Sequence, residues 1–464
     1  MPSPSACDEP RASEPIGVTF LRQFLPEGAA VLSVLIFGSY VMGLVRDRIF
    51  ARTFGAGMEL DAYNAAFVLP ELLLDVLVEA GLAAPFIPIF LRLRAAGDRE
   101  DADRFARTIL TGAVAVMGTG AVLMFIFADA TTGFIAPGFS GAQRDLYVSL
   151  FRLMLATPIL FAASLTLGQV LLAEQRFFWY GIAPLLYNAG IILGTIAFSE
   201  SLGVHGAAIG AVIGAAIHLG SRFIGLRGSR FRIGLGWSSP PSSVREFVRL
   251  MLPKMVSHPV EPMTFLFFTA IASGLAAGSV TAVSFARNFQ SVPVSLIGVA
   301  FALAVFPALS TAHASGDRRA FMRLLGTNLA SIALITTVAA IGLFVVGEVA
   351  IRVLLGGGAF DEEDVALTAT VLAAFALSVP FESLTHLLSR AIYATRHTLL
   401  QVLASLAALG ITVGATVLLL PALGIVAIPV GFAIGMAGKV VLLGLALAIR
   451  LRGFDPTGTG RSFG

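Results

Sequence analysis

Three carboxylates, Glu71, Asp75 and Glu79, recur at i, i+4 and i+8 inside an otherwise apolar stretch that also holds Asp61. On a helix this spacing makes one stripe. Such a stripe can take up protons, hold a cation or line a polar path. Two more stripes follow the same rule: Lys254, His258 and Glu261, then Glu382, His386 and Arg390. Arg287, Asn288 and Gln290 cluster in a fourth apolar stretch. Charged groups facing hydrocarbon are costly, so within a span they turn into the bundle and mark a pathway or a binding site by default. The stripes at Glu71–Glu79 and Lys254–Glu261 read as cavity lining, because they lie early in equivalent parts of the chain. The stripe at Glu382–Arg390 puts acid, imidazole and base on one face, and reads as internal pairing that fixes helix packing. Arg46, Arg48 and Arg52 follow the first apolar run, with Asp47 among them. They read either as an anion-contacting gate or as a solvated amphipathic connector.

These residues need a membrane scaffold to position them. The chain of 464 residues is 57% hydrophobic and 13% charged, about half the charged fraction of a soluble protein. This is the composition of an all-α polytopic membrane protein, and the net charge of +3 is no signal for nucleic acid. Apolar runs of membrane length fall at 29–45, 61–91, 106–128, 147–172, 178–199, 204–226, 247–272, 280–311, 323–346, 365–393, 399–420 and 424–449. Twelve spans are therefore expected. Residues 1–28 are polar and read as a disordered cytoplasmic tail, and 451–464 as a second cytoplasmic tail. Arginines crowd the connections after spans 2, 6 and 8, which predicts by the positive-inside rule that both termini are cytoplasmic. The Arg46–Arg52 segment then lies on the outer side, against that rule.

The chain repeats itself. Asp61-Ala62-Tyr63 matches Thr281-Ala282-Val283, Gly97-Asp98-Arg99 matches Gly316-Asp317-Arg318, and Leu202-Gly203-Val204 matches Leu423-Gly424-Ile425. The pattern predicts two tandem six-helix bundles, 29–232 and 233–450. An even number of spans per repeat relates them by a pseudo-two-fold axis along the membrane normal, with the substrate path between them. There is no phosphate-binding Gly-rich loop with its lysine, no HExxH pair and no nucleophile elbow. The expectation is a transporter without catalytic residues, metal or cofactor, driven by an ion gradient, the membrane potential or the substrate gradient. The single cysteine, Cys7, excludes an internal disulfide.

The stretch GLVRDRIFARTFGAGMELDAYNAAFVLP, Gly43 to Pro70, resembles the opening signature of the MurJ/MviN lipid II flippases, within the multidrug/oligosaccharidyl-lipid/polysaccharide exporter superfamily. LLGGGAFDEEDVALTATVLAAFALSVP, Leu354 to Pro380, and YATRHTLLQ, Tyr393 to Gln401, resemble later connections of that family. The resemblance implies a bacterial cytoplasmic-membrane flippase for an undecaprenyl-diphosphate-linked peptidoglycan precursor such as lipid II. It further implies that Arg46 contacts the anionic head group and that Asp61 takes part in gating. The chain departs from the family: Tyr40 stands where an Arg is usual on span 1, Leu74-Asp75 where an Arg-Arg pair is usual on span 2, and Asn288 and Ser291 where an Arg and a Glu are usual on span 8. A diphosphate is well served by arginine forks, yet here Glu71 and Asp75 enter the cup. Lys254, Arg287 and the Arg46–Arg52 segment are the remaining candidate contacts. The acidic stripe supports two alternatives: a cation-coupled exporter of a small solute, with H+ or Na+ as coupling ion, or a scaffold that kept the fold without transport.

Overall fold

The computed structural model describes residues 28–76, 80–97, 99–229, 231–238, 241–257, 260–395 and 397–452. Apolar residues in long runs leave backbone groups no partner in lipid except their own helix, and every named element among the described residues is helical. The first half comprises α1 (Ala29–Phe54), α2 (Met58–Leu74), α3 (Ala80–Ala95), α4 (Arg99–Ile126), the short α5 (Ala128–Ile135), α6 (Gly141–Met154), α7 (Ala156–Ala173), α8 (Phe177–Leu202) and α9 (Val204–Gly225). The second comprises α10 (Pro241–Ser257), α11 (Val260–Ser273), α12 (Ser279–Pro293), α13 (Ala300–Ala314), α14 (Arg318–Leu354), α15 (Glu362–Ala376), α16 (Val379–Ala394), α17 (Thr398–Leu423) and α18 (Ala427–Arg452).

The expected spans map onto these helices singly or in pairs. The continuous helical stretch Leu399–Arg450 has 52 residues. At 1.5 Å per residue it is more than twice the roughly 30 Å of hydrocarbon, so it folds back at Gly424. Gly203 and Gly424 end α8 and α17 at repeat-equivalent places, with φ of 55° and 53°, a conformation that glycine alone adopts without strain. Spans 2, 4, 7, 8 and 10 are each two helices. Span 8 passes from α12 through Pro293 into a π-helical turn, Val294–Val299, before α13. In span 10, α15 and α16 meet at a bend of 44°.

One expectation is corrected here. Arg46, Asp47, Arg48 and Arg52 are not a connector after span 1; α1 continues through them to Phe54 and stops at Gly55, φ 67°. Arginine is a good helix former, so the loss of hydrophobicity after residue 45 does not end the helix.

Packing divides the helices into two lobes. In the first, α8 lies tightly against α9: a Cβ at Gly190 would come within 2.3 Å of Gly214 Cα. The repeat-equivalent pair in the second lobe is α17 and α18, where a Cβ at Gly431 would come within 2.1 Å of Thr416 Oγ1. Only glycine allows either approach. Near Gly55 one apolar core is continuous across both lobes, joining Phe50, Tyr63 and Phe151 to Phe268, Phe285 and Phe375. Toward Arg92 the core splits. Phe86, Phe90 and Phe105 form a first-lobe cluster that includes Phe247 of α10, whereas Leu309, Phe321 and Leu387 form a separate second-lobe cluster. Thus α10, the first helix of span 7, packs on the first lobe, and α11 contributes Phe268 to the core shared by both lobes.

Candidate functional site

A cavity of about 500 Å³ lies between the lobes, walled by α1, α2, α8, α11 and α12. Its apolar wall is aromatic, from Phe50, Phe67, Phe265, Phe268 and Phe285. Its charge is concentrated on a few side chains. Among the described lining residues, Arg46 and Arg287 are cationic, and Asp47, Glu71 and Asp75 are acidic.

Arg46 is held by a local network. Its Nη2 and Nε donate to Asp47 Oδ1 at 2.8 and 3.1 Å, and Nη1 donates to Asn188 Oδ1 of α8 at 3.2 Å. The Arg46 side chain keeps 27% exposure, against 7% for Asp47. Asn288 of α12 donates from Nδ2 to the other Asp47 oxygen at 2.9 Å. One carboxylate therefore ties a first-lobe arginine to a second-lobe amide.

Arg287 is buried more deeply, and both its terminal nitrogens donate to Glu382 of α16, at 2.9 and 2.6 Å. Gln290, one turn along, contacts the same guanidinium through Oε1 and donates from Nε2 to Glu382 Oε2 at 2.9 Å. The guanidinium carbon lies 5.4 Å from the Phe265 ring and 5.2 Å from that of Phe432, both within cation–π range. Glu382 thus pairs with α12, not with Arg390 on its own stripe; Arg390 lies over the Phe306 ring at 5.7 Å.

Above the cavity, toward Gly55, the lobes are sealed. Asp61 is 2% exposed. Its Oδ2 accepts from Gly278 N at 2.7 Å, and its Oδ1 accepts from Thr281 N at 2.8 Å and Thr281 Oγ1 at 2.7 Å. Those groups open α12, whose N-cap, Gly278, has no side chain. Asp61 therefore caps the helix across the lobe boundary, where free N–H groups and the helix dipole favour an anion. At Gly278, φ is 90° and a Cβ would come within 2.1 Å of Ala56 O, so glycine is required. Asn64 adds a 3.3 Å bond to Thr281. Farther out, Arg52 O accepts from Ala359 N at 2.9 Å and Ala56 N donates to Asp364 at 2.9 Å.

Of the residues singled out in the sequence, Arg46, Glu71, Asp75, Arg287 and Asn288 line the cavity, while Asp61, Arg48 and Arg52 belong to the seal. Arg48 donates to the carbonyls of Val353 and Leu354 at 2.7 and 2.8 Å, and Arg52 to that of Gly356 at 3.1 Å. The Val353 and Leu354 oxygens end α14 and that of Gly356 lies just past it, where cations satisfy orphan carbonyls and the dipole. That is why both side chains turn away from the cavity they were expected to line. Glu79 and His258, and the side chains of Lys254 and Glu261, lie outside the described residues, as do the two tails. Sequence reasoning missed Asp47 as the hub between Arg46 and Asn288, and Asn188 as the second partner of Arg46. Asp47 carried a signal in its place beside Arg46.

At the opposite end α10 packs on α3 of the first lobe. Arg92 and Glu246 form a two-pronged exposed pair, with Nη1 at 2.9 Å from Oε1. The hydrogen-bonded Arg92 holds the Glu246 carboxyl below its ordinary range.

The sequence model of the family described as lipid II flippase MurJ matches residues 50–463. A Thermotoga maritima relative described as a probable lipid II flippase MurJ is 28% identical over 407 residues, 87% of this chain and 79% of the relative. A Burkholderia cenocepacia lipid II flippase MurJ is 25% identical over 426 residues, 89% of this chain and 81% of that one. Among solved structures, a lipid II flippase MurJ in an inward closed conformation superposes with a TM-score of 0.79 at 22% identity, covering 90% of this chain and 87% of that chain. An inward-facing multidrug resistance MATE family transporter of the MOP superfamily also gives 0.79, at 16% identity, covering 91% and 96%. These likenesses share the two-lobed, all-helical architecture found here. A family match over nearly all the described helices, on a chain with this fold, means that the protein belongs to the lipid II flippase MurJ family.

Proposed function

We propose that this protein carries an undecaprenyl-diphosphate-linked peptidoglycan precursor, of the lipid II class, from the inner to the outer leaflet of the bacterial cytoplasmic membrane by alternating access. Both termini face the cytoplasm, and the Gly55 end faces outward. The observation that carries this reading is a charged cavity between two lobes, with Arg46 and Arg287 in its wall and the Asp61 seal on one side. An arginine can donate two parallel bonds to a diphosphate, and the partly exposed Arg46 is positioned to receive the head group first. Rotation of the lobes about the continuous core would break the seal and reveal the cavity to the other side. The Glu71 and Asp75 carboxylates repel a diphosphate unless protons or cations offset them.

The test is rescue of a flippase-depleted strain. Wild-type protein is expected to restore growth, and Arg46→Ala, at equal membrane abundance, to fail or to need about tenfold more protein, the loss of one charge-assisted contact. Equal rescue by Arg46→Ala would remove that residue from the site. Glu71 and Asp75 favour a second reading, cation-coupled export of a small cationic solute. A wild-type chain that folds, inserts and never rescues would turn the choice toward it.

A further inference from the structure

An open groove of about 780 Å³ lies on the surface of the first lobe, between α4 and α10. Trp237, in the connection 231–238, and Val244, Val248 and Leu252 of α10 make its apolar wall, and Arg245 and Arg249 of the same helix line it too. We propose that this groove binds one anionic phospholipid from the leaflet at the Arg92 end, with the phosphate between Arg245 and Arg249 and an acyl chain along α4. The site is separate from the central cavity and does not depend on what that cavity carries.

The fold builds this groove from two sides. Phe247 seats α10 on α4, its ring meeting that of Phe105 edge-on at 6.0 Å. Val244, Val248 and Leu252, at i, i+4 and i+8, then form one stripe beside Arg245 and Arg249 at i and i+4. The connection 231–238 runs along α4, where Arg232 N donates to Asp103 Oδ2 at 3.2 Å and Gly236 N donates to Thr111 Oγ1 at 2.8 Å. These bonds hold Trp237 beside Gly112, its ring 3.8 Å from where a Cβ would stand, yet Trp237 stays 70% exposed. An amphipathic ring at the start of a span is placed as interfacial tryptophans are. Deeper along α4, Val116 and Leu123 share a face with Gly112 and are each more than half exposed. That face offers an acyl chain an apolar track leading out of the groove.

Charge selects the head group. Among the described residues the groove lining contains no acid. Glu246, next to Arg245 in the chain, accepts from Arg92 of α3 with both oxygens. Arg245 and Arg249 are exposed and, among the described residues, belong to no ion pair. One turn apart, two guanidinium groups can direct parallel N–H bonds at one phosphodiester. A zwitterionic head group brings its own ammonium to the same place, where two arginines repel it. A free phosphate would satisfy the arginines and leave Trp237 and the valine–leucine stripe uncovered; a phospholipid covers both. The bound lipid braces α10 against α4, on a different side of the helix from Arg92. The helix that opens the second half of the chain is then fixed to the first lobe at two places.

The experiment uses the purified full chain in phosphatidylcholine bilayers. The chain has two tryptophans, so Trp179→Phe leaves Trp237 as the reporter. Phosphatidylglycerol with brominated acyl chains, which quench a tryptophan on contact, is compared with phosphatidylcholine brominated in the same way. The anionic lipid is expected to be preferred beside Trp237 by about fivefold or more, the worth of one basic residue near a membrane surface. Arg245→Gln combined with Arg249→Gln is expected to abolish the preference. Arg318→Gln combined with Arg319→Gln, an exposed pair that opens α14, is expected to keep it. No preference in the reporter protein overturns the proposal. So does a preference that survives the groove variant, or one lost equally in the Arg318–Arg319 variant, because surface charge alone would then draw the lipid. Should Trp179→Phe not fold, the quenching of wild type less that of Trp237→Phe reads the same place. Should the double groove variant not fold, Arg249→Gln alone must weaken the preference, and an unchanged ratio overturns the proposal.

Discussion

The two ends of the central cavity are closed by different means. At the Gly55 end the lobes share one apolar core and are joined by backbone N–H groups, a buried carboxylate and glycines that admit close contact. At the Arg92 end the cores are separate, and the exposed arginine–glutamate pair joins α10 to α3 within the first-lobe packing and not across the lobes. Buried charge-assisted bonds to a helix N-terminus are strong, whereas exposed ion pairs contribute little. The difference implies that the Arg92 end yields first, so that ligand enters there before the Gly55 end opens.

The comparison breaks most clearly at Asp61. Removing a carboxylate that accepts three bonds leaves buried donors without partners, a loss of about 3 kcal/mol. Asp61→Ala should therefore shift the equilibrium toward the state open at the Gly55 end by roughly a hundredfold. Electron-spin distance measurements between labels at Gln143 and Glu363 would detect it; an unchanged distance distribution would show that the shared apolar core suffices to close this end. Gly358→Val should act in the same direction and less strongly. Gly358 has φ of 65°, and a Cβ there would come within 2.3 Å of Arg52 O, a strain of about 1–2 kcal/mol before any relaxation. The smallest effect is expected from Arg92→Ala or Glu246→Ala, with transport rates within about twofold of wild type. Because Arg92 lowers the Glu246 pKa, this tie is intact above the ordinary carboxylate range and is lost as pH falls through the lowered value. A large loss of transport in either variant would mean that the seating of α10 on the first lobe matters more than an exposed pair should.

Much of this architecture was legible beforehand. Long apolar runs and the repeat predicted twelve helices, because lipid leaves the backbone few options. The stripe spacing of Glu71 and Asp75 predicted a shared face, and both line the cavity. What stayed hidden was long-range pairing. Arg287 and Glu382 are separated by 95 residues, and nothing local in either helix points to the other. The repeat aligned Asp61 with Thr281, but equivalence is not contact; they touch because Asp61 caps the first turn of α12 across the lobe boundary. Arg48 and Arg52 were misplaced because a drop in hydropathy does not end a helix, and this one ends where its backbone does, at Gly55.

The paired helices α8–α9 and α17–α18 are packed backbone to backbone through glycine, with no room for either member to slide without a clash. Each hairpin should travel as a single stiff bar during the transport cycle. They are accordingly the natural fiducial marks of the molecule: probes fixed on the two bars would record the swing between lobes with little contribution from bending inside either one.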